Sequence, residues 1–164
     1  MKNSLTLTFL LLSLTAALAA DPLLPDAKLT PGVVLTNVTV EQITQRGYAN
    51  VLNGGVRHVP DSVKRQVFIE YFGAVPAKPG AYEIDHLISL ELGGSNDARN
   101  LWPESYTTQP WNARVKDKLE DRMAALLRHD LASNGHAHAT ALLKQFQSEI
   151  SKDWIAAYRK YVTP

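Results

Sequence analysis

Residues 81–104 read AYEIDHLISLELGGSNDARNLWPE, and this stretch decides the fold. Its first half, 81–92, is rich in apolar and β-prone side chains and is closed by a Gly-Gly pair, which predicts a strand followed by a tight hairpin turn. A second short strand is expected around 100–102. Pro103 should end it, because proline cannot donate a hydrogen bond to a strand ladder.

Two helices are expected before this hairpin. Thr39 and Gln42 form a capping-box pattern that predicts a short helix to about Arg46. A second helix should begin at a cap at 61–62, where Asp or Ser is available, and should end at Gly73. Its apolar side chains recur with the helical period.

Two further helices are expected after the hairpin. Pro110 suits the first turn of a helix whose apolar face continues to about Arg128. The break at 133–135 should separate it from a last helix with apolar positions through 143–161. The predicted fold class is therefore α+β, with a hairpin-helix core packed by additional α-helices.

The N-terminus carries a predicted secretion signal. Lys2 precedes an apolar run over 5–18 that closes on an Ala-Leu-Ala pattern, so a signal peptide should cover residues 1–19 and be cleaved after Ala19. An uncleaved anchor is less favoured, since the run is short and is interrupted by hydroxyl side chains. Residues 20–38 are expected to form an extended N-terminal arm, and residues 39–164 a single domain. The product should be exported, periplasmic or secreted, without stable membrane association.

Composition limits the available chemistry. The chain has 164 residues, 17 basic and 16 acidic side chains, five His and no Cys. Cleavage of the signal peptide removes one cation and leaves 16 bases against 16 acids, so nucleic-acid binding has to use a local basic patch. The absence of Cys excludes disulfides, thiolate zinc sites and Cys nucleophiles.

Acidic and basic side chains are unevenly distributed. Residues 81–104 hold five acids and one base, whereas residues 105–164 hold nine bases and six acids. Divalent cations prefer oxygen ligands, and nucleic-acid phosphates attract Lys and Arg. An acidic pocket beside a basic helical surface is typical of a metal-dependent phosphodiesterase, and the sequence favours that class.

Four side chains in and after the hairpin can supply such chemistry. Asp85 can hold a metal ion, and Asn112 at the start of the following helix can offer it an oxygen. Neutral His86, with an ordinary pKa near 6.5, can act as general base toward water. Asn100 can hydrogen-bond either the hairpin backbone or the imidazole and so fix its tautomer.

These residues resemble the HNH endonucleases, which have a ββα-metal fold. The shared pattern is D-H-x(6)-G-G-x(5)-N-L, followed by a helix with Asn112. More narrowly, the chain is similar to a group of small exported bacterial HNH-like proteins over most of residues 30–161. The segments that carry this likeness are TPG at 30–32, VRHV at 56–59, EIDHLISLELGG at 83–94, NLWP at 100–103, WNARVKD at 111–117 and DWIAAY at 153–158.

The resemblance implies a metal-dependent phosphodiester hydrolase acting on nucleic acid, with DNA favoured over RNA. It implies one divalent ion, most simply Mg²⁺, with Mn²⁺ or another transition metal as alternatives. Asp85 would be a metal ligand, His86 the general base and Asn100 the middle Asn that fixes the hairpin. Many family members place a His at the last ligand position, where this chain offers Asn112, with Asp117 and Glu120 as alternatives.

Three cations are candidates for binding the scissile phosphate, namely Arg57, Arg99 and Lys116. A structural salt bridge is an equally good interpretation of Arg57. Lys116 and Glu120 stand four residues apart and can form a surface ion pair. Glu83 is better interpreted as part of a solvated strand face than as a carboxylate supporting the metal ligands.

Other interpretations compete with the nuclease hypothesis. His86 by itself can be a core histidine, and His136 with His138 is more typical of a solvated loop than of a metal site. The three tryptophans are expected in the core rather than stacking on bases. At the level of function, the alternatives are a non-catalytic periplasmic or secreted binding protein on the same scaffold, and a hydrolase of another phosphodiester or polymer. The sequence leaves the oligomeric state open.

Overall fold

The structure is a computed structural model that describes residues 22–50 and 56–162. The predicted signal peptide lies outside these residues. The described residues have an α+β fold with a two-stranded antiparallel sheet. No helix within the described residues is long and apolar enough to cross a membrane. The helices and strands are α1 (Val40–Ile43), α2 (Asp61–Phe72), β1 (Tyr82–His86), β2 (Leu101–Ser105), α3 (Ala113–Asn134) and α4 (His136–Tyr161).

The two strands pair over their full length. Asp85 lies opposite Trp102, and Ile84 lies opposite Pro103. The prediction that Pro103 ends β2 is therefore wrong, since it is the middle residue of the strand. In a sheet of two strands, each strand has one free edge. A proline whose nitrogen faces that edge removes no hydrogen bond between the strands.

The connection between the strands is not a tight hairpin turn. β1 ends at His86, and residues 87–100 contain 3₁₀ turns at Leu90–Leu92 and Ala98–Asn100. The leucines that suggested a longer strand are buried in the core from this loop. Gly93 ends the first turn with φ of 75°, a conformation that favours glycine.

The two early helices are present with different ends. The capping box of Thr39 and Gln42 is confirmed, but α1 stops at Ile43. The hydroxyl of Thr44 donates to Val40 O and competes with continuation of the helix. α2 ends at Gly73 as predicted, whereas its N-terminus has no side-chain cap, because Pro60 occupies the cap position.

The two late helices are longer than predicted. α3 begins at Ala113 rather than at Pro110, and it continues to Asn134. α4 includes His136 and His138 in its first turns, so these residues do not form a loop. At Asp153 the backbone leaves the helical conformation, and the carboxylate accepts from Ala156 N, which caps the last part of α4.

The core lies between α3, α4 and the loop that joins the strands. Trp102 and Trp154 are fully buried, which confirms their predicted core position. Trp111 is partly buried and packs edge-on against Trp154, with ring centres 5.9 Å apart. On the other face of the hairpin, Tyr82 packs against the aromatic rings of α2.

The N-terminal arm is extended and bound along the domain. Trp154 Nε1 donates to Leu23 O at 2.9 Å, and the hydroxyl of Thr30 donates to Leu101 O at 2.8 Å. Val34 forms a bridge with Gly94 in the strand connection. The arm therefore ties α4 to the start of β2.

Candidate functional site

The strand pairing divides the polar side chains of the hairpin between two faces. Side chains alternate along a strand, and Glu83 pairs with Glu104 while Asp85 pairs with Trp102. Glu83, Asp85 and Glu104 therefore share the face that α3 covers. His86 projects from the opposite face at the end of β1.

Lys116 of α3 contacts the hairpin face that carries Asp85. Its side chain is 0% exposed, and its Nζ donates to Asp85 Oδ2 at 2.6 Å, to His86 O at 2.7 Å and to Glu120 Oε1. An ammonium has three donors, so all of them are used. Burial lowers the pKa of Lys116, but the charges of Asp85 and Glu120 outweigh this effect and raise it above its usual range.

Asp85 is held from two sides. Its Oδ1 accepts from His86 N at 2.7 Å, and its Oδ2 accepts from Lys116. Burial raises the pKa of Asp85, but the charge of Lys116 and its hydrogen bond outweigh burial and lower it. Asp85 is therefore an ionised carboxylate paired with a buried cation.

Glu104 is the most unusual carboxyl group of this face. It is 1% exposed, and no donor reaches either of its oxygens. Burial, together with the neighbouring Asp85 charge and against the effect of Lys116, raises the pKa of Glu104 to about 10. Glu104 is thus protonated at neutral pH, and its proton can be donated to Asp85. Burial likewise raises the pKa of Glu120 to about 8, against the effect of Lys116.

His86 is positioned by Asn96. His86 Nε2 lies 2.9 Å from Asn96 Oδ1, and Asn96 Nδ2 donates to Val56 O at 2.7 Å. Because a backbone carbonyl only accepts, this bond fixes the amide orientation, and Nε2 must carry the imidazole proton. The remaining nitrogen, Nδ1, then holds the lone pair. Burial lowers the pKa of His86, which keeps the ring neutral at neutral pH.

Asn100 holds the loop that follows His86. It is fully buried, and its Nδ2 donates to Ile88 O at 3.0 Å and to Ser95 O at 2.9 Å. Its Oδ1 accepts from Ile88 N and from Val33 N. These partners are all backbone groups, so Asn100 shapes the loop rather than the imidazole.

Asn112 caps α3 instead of pointing a free oxygen at Asp85. Its Oδ1 accepts from Val115 N at 3.3 Å, and its Nδ2 donates to Thr108 O at 3.0 Å. Within residues 22–50 and 56–162, no three His, Cys, Asp or Glu side chains are arranged to hold a metal ion. Lys116 occupies the Asp85 carboxylate, so an ion bound to that carboxylate has to displace the ammonium.

The three candidate phosphate contacts have different environments. Arg57 is exposed, and its charge lowers the pKa of His86 and also those of Glu83 and Asp117, so it lies near the hairpin without belonging to the imidazole face alone. Arg99 is exposed but forms an ion pair with Asp97 at 2.9 Å. Lys116 is buried and cannot reach a phosphate, which corrects that expectation. Its pairing with Glu120 is real but lies in the interior rather than on the surface.

Two side chains of this region had weak sequence signals. Asn96 follows the Gly-Gly pair like an ordinary loop residue, and its role depends on a contact 40 positions away. Glu83, expected on a solvated face, is partly buried and accepts from Tyr106 OH at 3.0 Å. His136 and His138 form separate hydrogen bonds with Glu41 and Asp130, rather than a shared site.

The arrangement offers a neutral imidazole with one available nitrogen, next to an ionised carboxylate that is neutralised by an ammonium. The neutral imidazole can accept a proton from water, but His86 is only 2% exposed, so water has to gain access to it first. Comparison with known proteins adds no relative. No protein-family model, no curated protein and no solved structure matches this chain.

Proposed function

We propose that this protein is an exported endonuclease of the HNH type that hydrolyses phosphodiester bonds of nucleic acid. The observation that carries the proposal is the local order of elements. Asp85 and His86 end β1, Asn100 precedes β2, and α3 returns to contact Asp85 through Lys116. This order agrees with a ββα unit, and the resemblance of its motif supplies the activity.

His86 is the proposed general base. Asn96 holds the proton on Nε2, which leaves Nδ1 to take a proton from an attacking water. The lowered pKa keeps this nitrogen free of a proton at neutral pH. Because His86 is 2% exposed, the groups around the imidazole have to move before a water and a phosphate can reach it. Arg57 is then the cation best placed to meet the phosphate.

A divalent ion, most simply Mg²⁺ with Mn²⁺ as an alternative, is the proposed cofactor, and Asp85 is its proposed first ligand. Carboxylate oxygens suit such ions. Support for the ion comes from the resemblance and not from the arrangement of Lys116, which holds the same carboxylate. Asn112 is less suited to be a ligand, because its amide is used in the cap of α3.

Export and nucleic-acid binding are also proposed. The arm is bound to Trp154 at Leu23, which follows the expected cleavage at Ala19, so a chain cleaved there would keep this contact. DNA is the favoured substrate over RNA. An exposed Arg114 lies over the ring of Tyr106 at 5.9 Å, beside the same hairpin, and such a pair can contact a phosphate and a base.

The test uses the mature protein from Ala20 with supercoiled plasmid, and with Mg²⁺, Mn²⁺ or EDTA. We expect nicking that requires the metal and that falls at least 100-fold in His86→Gln. His58→Gln is the matched control, because His58 is exposed and is given no catalytic role. Plasmid, single-stranded DNA and RNA that all stay intact with every ion would contradict the nuclease.

One observation favours a second candidate. Asp85 is neutralised by Lys116, and His86 is almost inaccessible, as in a scaffold that binds without catalysis. A non-catalytic envelope or secreted binding protein predicts nucleic-acid or ligand binding that is unchanged in His86→Gln. The nuclease assay separates the two candidates, because only the enzyme depends on that residue.

A further inference from the structure

We propose that a cleft between the segment after α1 and helix α3 binds one nucleotide of a single nucleic-acid strand, with its phosphate on the guanidinium groups of Arg46 and Arg128. Neither Asp85 nor His86 lines this cleft. The inference rests on the proposed function in taking nucleic acid as the ligand, but it does not require that the protein cleave the strand.

The cleft is formed by three parts of the chain that are distant in sequence. It is lined by residues 43–49, by Glu91 in the loop between the strands and by Arg128 of α3. Its volume is about 410 Å³, near the lower end of the range of about 300–1,000 Å³ that is typical of ligand sites. A cleft of this size suits one unpaired nucleotide rather than a base-paired helix.

Arg46 and Arg128 supply the anion-binding groups of the cleft. Both side chains are exposed, and within residues 22–50 and 56–162 neither of them takes part in an ion pair. A guanidinium keeps its charge at any working pH, and its planar fork matches a phosphate with two parallel hydrogen bonds. Two unpaired guanidinium groups on one cleft therefore favour a phosphate as the ligand.

Glu91 is the one acid among the described residues that line this cleft. Its single negative charge does not cancel the charges of Arg46 and Arg128, so the cleft is positive. The expected mature chain carries 16 bases and 16 acids, and this surplus is therefore local. A protein without net positive charge needs such a local surplus in order to bind nucleic acid.

The cleft continues toward the candidate general base. A second depression, which contains Arg57, shares part of its lining with the cleft, namely Gly47, Ala49 and Glu91. Val56, the chain neighbour of Arg57, accepts from Asn96, and Asn96 in turn bonds His86. The charge of Arg57 also acts on the imidazole of His86. A strand held in the cleft can therefore continue past Arg57 toward His86.

The experiment measures binding of the mature protein to a short fluorescein-labelled DNA strand by fluorescence anisotropy, in EDTA. We expect Arg46→Gln combined with Arg128→Gln to raise the Kd about tenfold in ~0.1 M salt. The slope of log Kd against log salt should fall by about 0.7, the contribution of one phosphate contact in a single strand. Arg46→Lys combined with Arg128→Lys keeps both charges and should keep the wild-type slope.

Two controls locate the effect in the cleft. Arg65→Gln combined with Lys152→Gln removes the same charge from exposed positions outside the cleft and should leave both Kd and slope unchanged. Glu91→Gln should lower the Kd about threefold, because it removes the negative charge beside the phosphate. Glu70→Gln, an exposed acid of α2, should not.

The inference would be overturned by a wild type that does not bind the strand, or by a doubly substituted Arg46 and Arg128 protein with unchanged Kd and slope. A DNA duplex of the same sequence should not respond to these two substitutions. A duplex that responds as strongly as the single strand would overturn the assignment of an unpaired nucleotide to the cleft.

Plasmid nicking with Mg²⁺ is measured on the same variants. Nicking that requires His86, together with strand binding that does not depend on Arg46 and Arg128, would overturn the inference and leave the proposed nuclease standing. Strand binding that depends on these two residues, without nicking by the wild type, would support the inference and count against the nuclease. The two proposals can therefore fail separately.

Discussion

At the residue scale, two carboxyl groups on the same face of the hairpin have opposite protonation states. Asp85 is charged because Lys116 donates to it, whereas Glu104 stays protonated because burial is not compensated by any donor. The difference follows from the partners and not from the residue type. Stability should therefore depend on pH through Glu104.

Glu104→Gln should change that pH dependence. The pKa of Glu104 is about 10 in the folded protein, against an ordinary 4.5, so the folded state binds more protons between these values. Stability must then fall as pH rises through this window, by at most about 1.4 kcal/mol per pH unit. In urea unfolding between pH 5 and 9, the free energy of unfolding should decline less in Glu104→Gln than in the wild type. The amide of this variant can still donate a hydrogen bond to Asp85.

The control for this titration is Glu70→Gln, which removes an exposed acid from α2. It should keep the wild-type slope of unfolding free energy against pH. Parallel slopes for wild type and Glu104→Gln would show that Glu104 is ionised in the folded protein, contrary to the expectation.

Asn100→Ala should be among the most damaging single changes in the protein. It removes two donors and an acceptor from backbone groups of Ile88, Ser95 and Val33, in a fully buried position. Each buried backbone group left without a partner costs about 1–3 kcal/mol. We expect a loss of about 3 kcal/mol or more in urea unfolding. Asn134→Ala, at the end of α3, should cost less than about 1 kcal/mol, and equal losses would refute the role of Asn100.

At the element scale, the loop between the strands is defined by close backbone packing. A Cβ on Gly94 would lie 1.8 Å from Ile88 O and 2.9 Å from Asn100 Nδ2. Neither neighbour can move freely, because Asn100 holds Ile88. The Gly-Gly pair therefore allows close contact with neighbouring groups within a long loop. It does not form the tight hairpin turn expected from the sequence.

Gly94→Ala tests this packing. The added methyl has to displace Ile88 O or the Asn100 amide, and we expect a loss of about 2–3 kcal/mol or more in thermal or urea unfolding. Gly80→Ala is the matched control, because nothing lies within 4 Å of a Cβ there. Its effect should stay within about 0.5 kcal/mol. A Gly94→Ala protein as stable as Gly80→Ala would contradict the packing.

At the scale of the whole molecule, the arm holds distant elements together. Leu23 accepts from Trp154 of α4, Thr30 donates to Leu101 of β2, and Leu35 N donates to Gly93 O in the loop. These bonds connect parts of the chain that are far apart in sequence. The arm is thus a component of the folded domain, although it has no regular secondary structure.

Removal of the arm should destabilise the entire domain. A protein that begins at Leu35 leaves Trp154 Nε1 and Leu101 O without these partners, at about 1–3 kcal/mol each. We expect a single unfolding transition at a clearly lower Tm, measured by circular dichroism. Leu24→Ala changes a 40%-exposed arm residue and should leave Tm nearly unchanged. A truncated protein with the wild-type Tm would show that the arm is dispensable.

The sequence by itself determined the types of the main helices and strands. The 3.6-residue period of apolar side chains predicted α2, α3 and α4, and the run of apolar and β-prone side chains over 81–92 predicted β1, because these signals are local. The capping box at α1 is local as well. The ends of the elements were less well predicted. Whether β2 can continue through Pro103 depends on which edge of the sheet is free, and the first residue of α3 depends on which side chain caps the helix.

Only the tertiary structure decided which polar groups of the site contact one another. Lys116 with Glu120 at a spacing of four residues indicates a surface pair, and the sequence carries no signal that β1 lies against this face of α3. Burial then changes the chemistry, because removal of water makes Asp85 depend on Lys116 and keeps Glu104 protonated. Pairings across 30 residues or more follow from packing of the whole chain, which no local pattern encodes.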